Sequence, residues 1–264
     1  MYLSKLSLFN YKNIAEQTFE FDSKINCFVG NNGMGKTNLL DAVYYLCFTK
    51  SYFSKPDAQS VYSDLRGFRL EANVLKNDEE NQLVCILRET NRKEFLLNYE
   101  AYKKFSDHVG KFTCVMISPD DVELITGGSE TRRNFLDTIL SQLYPVYLRQ
   151  LIDYKKILDQ RNSFLKAAAE HSYTDDTLLD TLDEQLVKHG DQIFKTRKKF
   201  IEYFLQKVQT EYAGIAGTQD GVIINYFSQL HHAGFKDLLL QNRQRDLYLQ
   251  RTGSGIHKDD LEIQ

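Results

Sequence analysis

From Tyr2 to Asn10, Leu3, Leu6, Leu8 and Phe9 are interleaved with serine and lysine, the pattern of a half-exposed strand. Asn10-Tyr11-Lys12-Asn13 reads as a turn. Phe19 and Phe21 then alternate with Thr18, Glu20 and Asp22, which predicts a second strand. Ile25, Cys27, Phe28 and Val29 predict a short buried strand, and Leu39, Val43 and Leu46, with Leu40 and Cys47 beside them, recur at helical spacing. Residues 68–74, 83–88 and 94–97 predict three strands joined by polar turns, an antiparallel meander. Residues 102–109 predict a short helix. The continuous apolar run from Phe112 to Ile117 predicts a strand in the interior of a sheet, ended by Ser118-Pro119.

From Ser118 onwards the period changes from two to nearly four. Ser118-Pro119-Asp120-Asp121 predicts a helix start, with proline at the first position and acids in the first turn. Gly127-Gly128 breaks that helix, and Ser129 can cap the next. Tyr144, Leu148, Leu151, Leu158 and Leu165 form one apolar stripe. Leu179, Leu182, Leu186, Ile193, Phe200, Phe204 and Val208 form another, across a polar break from His171 to Thr177. Two long amphipathic helices with a short connection predict an antiparallel hairpin, and such stripes ordinarily mean core packing. Residues 214–221 predict a glycine loop, Val222 to Phe227 a strand, the stretch holding Phe235 and Leu238 to Leu240 a helix, and Leu261 to Ile263 a last strand. The class is α/β, with a helical lobe carried on the long hairpin.

At 264 residues, with 42% hydrophobic and 26% charged residues, the chain can build a substantial core. A net charge of −3 supplies no global basic signal, so nucleic-acid contact has to come from a local patch. Cys27, Cys47, Cys85 and Cys114 lie in apolar runs without zinc spacing, which predicts buried free thiols in a reducing compartment. No apolar run approaches the length of a membrane span, so a cytoplasmic protein with no membrane partner is expected.

Between the strand expected before Gly30 and the helix expected after Thr37 lies Gly30-Asn31-Asn32-Gly33-Met34-Gly35-Lys36-Thr37, which fits G-x-x-x-x-G-K-[ST] at every fixed position. In such a P-loop, backbone N–H groups cradle phosphates, the lysine reaches the outer phosphates, and the Ser/Thr hydroxyl ligates Mg²⁺. Gly30 to Asn38 are the candidate ATP-binding residues, with Thr37 the candidate Mg²⁺ ligand. Other candidates are weaker. Arg132 and Arg133 could grip phosphate or pair across an interface, or form a solvated face. Lys195, Arg197, Lys198 and Lys199 form a basic run that could meet DNA phosphates or simply face solvent. His257 with Asp259 and Asp260 could be a ligand cluster or an ordinary loop. Leu124 to Glu130 is only superficially similar to the cassette-ATPase signature, since no run of four apolar residues ending in paired acids follows it. Asp107 to Gly110 matches D-x-x-G, but no guanine-reading motif accompanies it.

Four blocks in order resemble the RecF family of bacterial SMC-like, ABC-type ATPases. They are Asn26 to Ala42, Ser118 to Asp121 with Gly127 to Asp137, Leu158-Asp159-Gln160-Arg161-Asn162, and Gly255-Ile256-His257-Lys258-Asp259-Asp260-Leu261, with Ile256 where proline is usual. The resemblance implies an ABC-type P-loop ATPase head. Lobe I, residues 1–117, would hold a mixed sheet with antiparallel N-terminal strands. Lobe II, residues 118–213, would be helical, and residues 214–264 would return to lobe I. Tyr11-Lys12-Asn13 would lie near the nucleotide, although a solvated turn is the alternative. The resemblance further implies ATP with Mg²⁺, an ATP-dependent homodimer of the full-length protein, and DNA binding at single-strand gaps. RecO and RecR would be partners in loading recombinase during replication, DNA repair and the SOS response. Family members continue to a signature motif and a Walker B strand that this sequence does not reach. Hydrolysis by this chain alone is therefore not implied, and a truncated chain is expected. Two rival readings are a small-molecule P-loop phosphotransferase and an interaction module that has lost nucleotide switching.

Overall fold

The computed structural model describes residues 1–54, 56–63, 65–171, 175–217 and 221–264. The chain divides into two compact units, Met1–Met116 and Ile117–Gln264.

The first unit is a six-stranded antiparallel sheet of order β2-β1-β3-β4-β5-β6. The strands are β1 (Tyr2–Tyr11), β2 (Ile14–Glu20), β3 (Phe68–Lys76), β4 (Glu79–Leu87), β5 (Lys93–Leu97) and β6 (Glu100–Ala101). Helix α1 (Lys36–Phe48) belongs to the same unit. Period-two alternation fixes the register, because a slip of one residue would turn every apolar side chain outward. Leu8, Leu70, Cys85 and Phe95 lie opposite one another across β1, β3, β4 and β5, and all four are fully buried. They share one core with Leu39, Ala42, Tyr45 and Leu46 of α1. The β3–β4 turn places Asn77 and Asp78 at positive φ, as a two-residue hairpin of the favoured twist requires.

Two expected strands do not form. The chain is neither helix nor strand over residues 24–31 and 113–118. Phe28 packs edge-on against Phe19 and Phe21, while Ile25 and Val29 stand exposed. Cys114 and Met116 pack on the core, while Val115 (90%) and Ile117 (84%) face outward. A strand is a pairing as well as a run of apolar residues. Among the described residues, neither segment has a ladder partner. The helix expected over 102–109 shortens to one 3₁₀ turn at Phe105–Asp107.

The second unit is mainly helical: α2 (Glu123–Thr126), α3 (Ser129–Leu143), α4 (Pro145–His171), α5 (Asp176–Ala216) and α6 (Phe235–Leu249). Strands β7 (Ile224–Phe227) and β8 (Asp260–Ile263) form an antiparallel pair. α4 and α5 make the expected antiparallel hairpin. Tyr147 meets Arg197, Tyr154 approaches Gly190, and Arg161 meets Asp183, in reversed order along the two helices. Asp175 caps α5 by accepting from Leu178 N at 3.0 Å. α5 runs through Gly214 to Ala216 and ends at Gly217 with φ 62°, so the glycine loop begins later than expected. Of the expected loops and connectors, Lys55, Ser172, Tyr173, Thr174, Thr218, Gln219 and Asp220 lie outside the described residues. Residues 214–264, expected to return to lobe I, supply Ile224, Phe235, Leu239, Ile256 and Leu261 to the core of the helical unit.

Candidate nucleotide site

The P-loop sits immediately before α1, with Gly35 at its N-cap, so the helix dipole and the free N–H groups of the first turn point at the loop. Gly30, Gly33 and Gly35 have φ of 153°, 82° and 93°, conformations that side chains with a Cβ rarely adopt. Around Gly30 and Gly33 an added Cβ would meet nothing within 4 Å, so that side of the loop is open to a ligand. Lys36 Nζ donates to the carbonyls of Gly30 (2.7 Å) and Asn31 (2.8 Å), which suspends an ammonium across the loop. Thr37 is exposed at the first turn of α1. Backbone donors, a helix N-terminus, a lysine held only by carbonyls and an accessible hydroxyl fit a polyphosphate with Mg²⁺.

The turn between β1 and β2 adds a wall to this loop. Asn13 Nδ2 donates to Gly33 O at 2.8 Å, and Asn38 Nδ2 donates to Asn13 Oδ1 at 2.7 Å. Behind them, Asp41 of α1 is fully buried. It accepts from Tyr11 Oη (2.6 Å), Ser51 Oγ (2.8 Å) and Tyr52 N (2.7 Å), and pairs with Lys12 Nζ at 2.7 Å. This buried carboxylate is satisfied on every side and ties the P-loop helix to the turn. Burial, followed by the charge of Asp41, pushes the Tyr11 phenol far above its ordinary range.

The basic candidates divide into two kinds. Lys195, Lys198 and Lys199 are exposed on α5. Arg197, between them in sequence, is 1% exposed and cannot reach DNA, which corrects the expectation for that residue. Its guanidinium donates to Asp137 (2.7 Å), Asp259 (2.8 Å), Tyr147 Oη (3.0 Å) and Ile256 O (2.8 Å). Burial opposes its charge, but Asp137, Tyr147, Tyr226 and Asp259 together hold it protonated above the usual arginine range. Arg132 is engaged in a two-pronged pair with Asp260 (2.7 and 3.0 Å) and also donates to Gly127 O. Arg133 donates to Asp259 O at 2.6 Å. Both arginines have intramolecular partners.

This network has no counterpart among the sites expected from the sequence. Arg161 is also fully buried, bonded to Asp183 (2.6 Å), Asp246 (2.8 Å) and Thr252 Oγ1 (2.9 Å). The sequence does carry a signal for it. Arg161 and Arg197 fall on the apolar stripes of their helices, spaced seven from Tyr154 and four from Ile193, whereas Lys195, Lys198 and Lys199 lie off the stripe. His257 is a structural residue as well. Its Nδ1 faces Tyr154 Oη at 2.7 Å, its Nε2 faces Thr252 O at 3.1 Å, and burial lowers its pKa to about 4. Asp259, raised by burial, accepts from Arg197 and Tyr226. Among the described residues no group of three His, Cys, Asp or Glu side chains is placed to hold a metal ion, and no helix is long and apolar enough to cross a membrane. Cys47 and Cys85 are buried as expected, but Cys27, in the unpaired segment before the P-loop, is exposed.

Known proteins share this sequence and this fold. A family profile described as an AAA domain matches residues 5–249. The DNA replication and repair protein RecF of Flavobacterium johnsoniae is 46% identical over 265 residues, covering all of this chain and 74% of that protein. RecF of Parabacteroides distasonis is 43% identical, covering all of this chain and 71% of that protein. A solved structure of the recombination mediator protein RecF with ATP, in the RecFOR pathway, superposes with a TM-score of 0.93 at 27% identity, over the whole chain and 73% of that protein. With its P-loop, its long helical hairpin and this similarity along its full length, the chain belongs to the RecF family of DNA replication and repair proteins.

Proposed function

We propose that this chain binds ATP with Mg²⁺ through Gly30 to Asn38 and works as a nucleotide-switched DNA-binding factor in recombinational repair. The observation that carries the reading is the P-loop geometry: three glycines at positive φ lead into α1, and among the described residues Lys36 is held only by the carbonyls of Gly30 and Asn31. Those carbonyl bonds are exchangeable, so Lys36 can turn to the β- and γ-phosphates, while the N–H groups of Asn32 to Lys36 bind phosphate oxygens. The Thr37 hydroxyl would ligate Mg²⁺, which supplies charge neutralisation between the outer phosphates. The exposed Lys195, Lys198 and Lys199 supply the phosphate-directed charge for DNA.

Single-strand gap junctions as the DNA target, RecO and RecR as partners, an ATP-dependent homodimer of the full-length protein and a cytoplasmic setting belong to the same reading. They draw support from the named relatives. The proposal extends to binding and leaves hydrolysis aside. Calorimetry with MgATP tests it: the chain binds, and Lys36→Ala binds roughly 10- to 150-fold more weakly. A chain that binds DNA but shows no MgATP binding would mark an interaction module, and phosphoryl transfer to a small acceptor would mark a metabolic enzyme.

A further inference from the structure

The turn at Lys12-Asn13 joins β1 to β2, with Tyr11 paired to Ile14 across it. A two-residue hairpin turn needs a residue at positive φ, and asparagine tolerates that conformation better than lysine. Here the positive φ of 53° falls on Lys12 and not on Asn13. The turn therefore makes no use of the backbone tolerance of Asn13. Its side chain reaches the P-loop, where Nδ2 holds Gly33 O at 2.8 Å and Oδ1 receives Asn38 Nδ2 at 2.7 Å. The approach is close enough that a Cβ at position 35 would stand 2.7 Å from Asn13 Oδ1. The turn is itself anchored, since Lys12 N donates to Ser60 O (2.9 Å) and Lys12 Nζ pairs with the buried Asp41 of α1. A fixed post thus presents one amide to the loop and to the first turn of the helix that follows.

We propose that Asn13 is a positioning residue for nucleotide binding: by bridging Gly33 O and Asn38 it holds the P-loop amides in their ligand-ready arrangement before any phosphate arrives. Preorganisation of this kind removes an ordering cost from binding. The inference rests on the nucleotide reading above. It goes beyond that reading by assigning a role to a residue outside the P-loop motif.

Hydrogen exchange and calorimetry on the full chain test it with Asn13→Ala and Asn13→Asp. Without nucleotide, both variants should melt within about 2 °C of wild type, because an exposed side chain contributes little to global stability. The amides of Gly33 to Thr37 should exchange several-fold faster. MgATP affinity should fall about 5- to 20-fold in Asn13→Ala and further in Asn13→Asp, whose carboxylate cannot donate to Gly33 O and repels phosphate. Asn38→Ala combined with Asn13→Ala should cost less than the two single losses added, as a shared bridge requires. Unchanged loop exchange in Asn13→Ala overturns the proposal. So does a variant that loses nucleotide only together with several degrees of melting temperature, which would make Asn13 a folding residue. A folded wild-type chain that ignores MgATP overturns the nucleotide reading, and the exchange comparison still decides whether Asn13 positions the loop.

Discussion

Lys36 of the P-loop and Arg197 of the basic run on α5 are both cations with a candidate phosphate role, and their surroundings are opposite. Lys36 stands at the mouth of an open glycine loop and is held by two backbone carbonyls. Arg197 is 1% exposed and held by two carboxylates, a phenol and a carbonyl. A cation with neutral, replaceable partners can change them for a ligand. A desolvated cation with charged partners cannot leave without exposing buried carboxylates. The P-loop keeps its lysine available, whereas the helical unit consumes Arg132, Arg133, Arg161 and Arg197 in joining α3, α4, α5, α6 and the segment from Thr252 to Asp260. Charge in a motif therefore indicates function only after its partners are counted.

The sharpest way to break the comparison is to delete each cation. Arg197→Ala leaves Asp137 and Asp259 buried without their partner, and about 3–5 kcal/mol of stability should be lost, read by urea unfolding. A loss below about 1 kcal/mol would show that the network is not a keystone of the helical unit. Lys36→Ala should leave the melting curve almost unchanged and weaken MgATP binding by about 1.5–3 kcal/mol, roughly 10- to 150-fold. If Lys36→Ala destabilised the chain as much as Arg197→Ala, the two cations would not differ in kind.

The exposed lysines sharpen the same contrast. Lys195, Lys198 and Lys199 surround Arg197 in sequence yet point to solvent. Replacing all three with alanine should spare stability. If each meets one phosphate, the slope of log affinity against log salt should fall by about 2.7 for duplex DNA. An unchanged slope would remove this face from the DNA surface.

The P-loop could be read from eight residues because its chemistry demands fixed residue types at fixed spacing. The antiparallel strands and the hairpin could be read from period alone. The segments 25–29 and 112–117 could not, since their apolar character says nothing about whether a neighbouring strand is there to pair with them. The resemblance places Tyr11-Lys12-Asn13 near the nucleotide, but the bridge made by Asn13 could not be read, because its partners, Gly33 and Asn38, lie 20 and 25 residues away. The burial of Arg161 and Arg197 was within reach. An arginine on the apolar stripe of a long helix, in a chain with acids on the stripes of its neighbours, is a buried pair waiting to be matched. Reading the basic run by composition instead of by phase hid it.

The smallest expected effect concerns His108, the buried imidazole of the first unit. Its Nε2 faces Leu46 O at 2.7 Å and its Nδ1 faces Tyr102 Oη at 3.3 Å, so the neutral ring with a proton on Nε2 satisfies both partners. Burial, which disfavours the charged ring, lowers its pKa from 6.5 to about 4, against the hydrogen bond to Leu46. A depressed folded value means that the unfolded chain takes up the proton first as pH falls. The stability is complete above about 6.5 and drains away between there and about 4. One unit below the unfolded value, at pH 5.5, the loss should be roughly 1.4 kcal/mol, the worth of one proton over one unit. The ring resonances of His108 should stay neutral through this window, and His108→Gln should lower the slope of the stability profile across it, leaving the part that His257, lowered in the same way, contributes. A ring that titrates near 6.5 would mean that the sheet unit admits water at His108 and keeps its buried polar groups less strictly than the helical unit does.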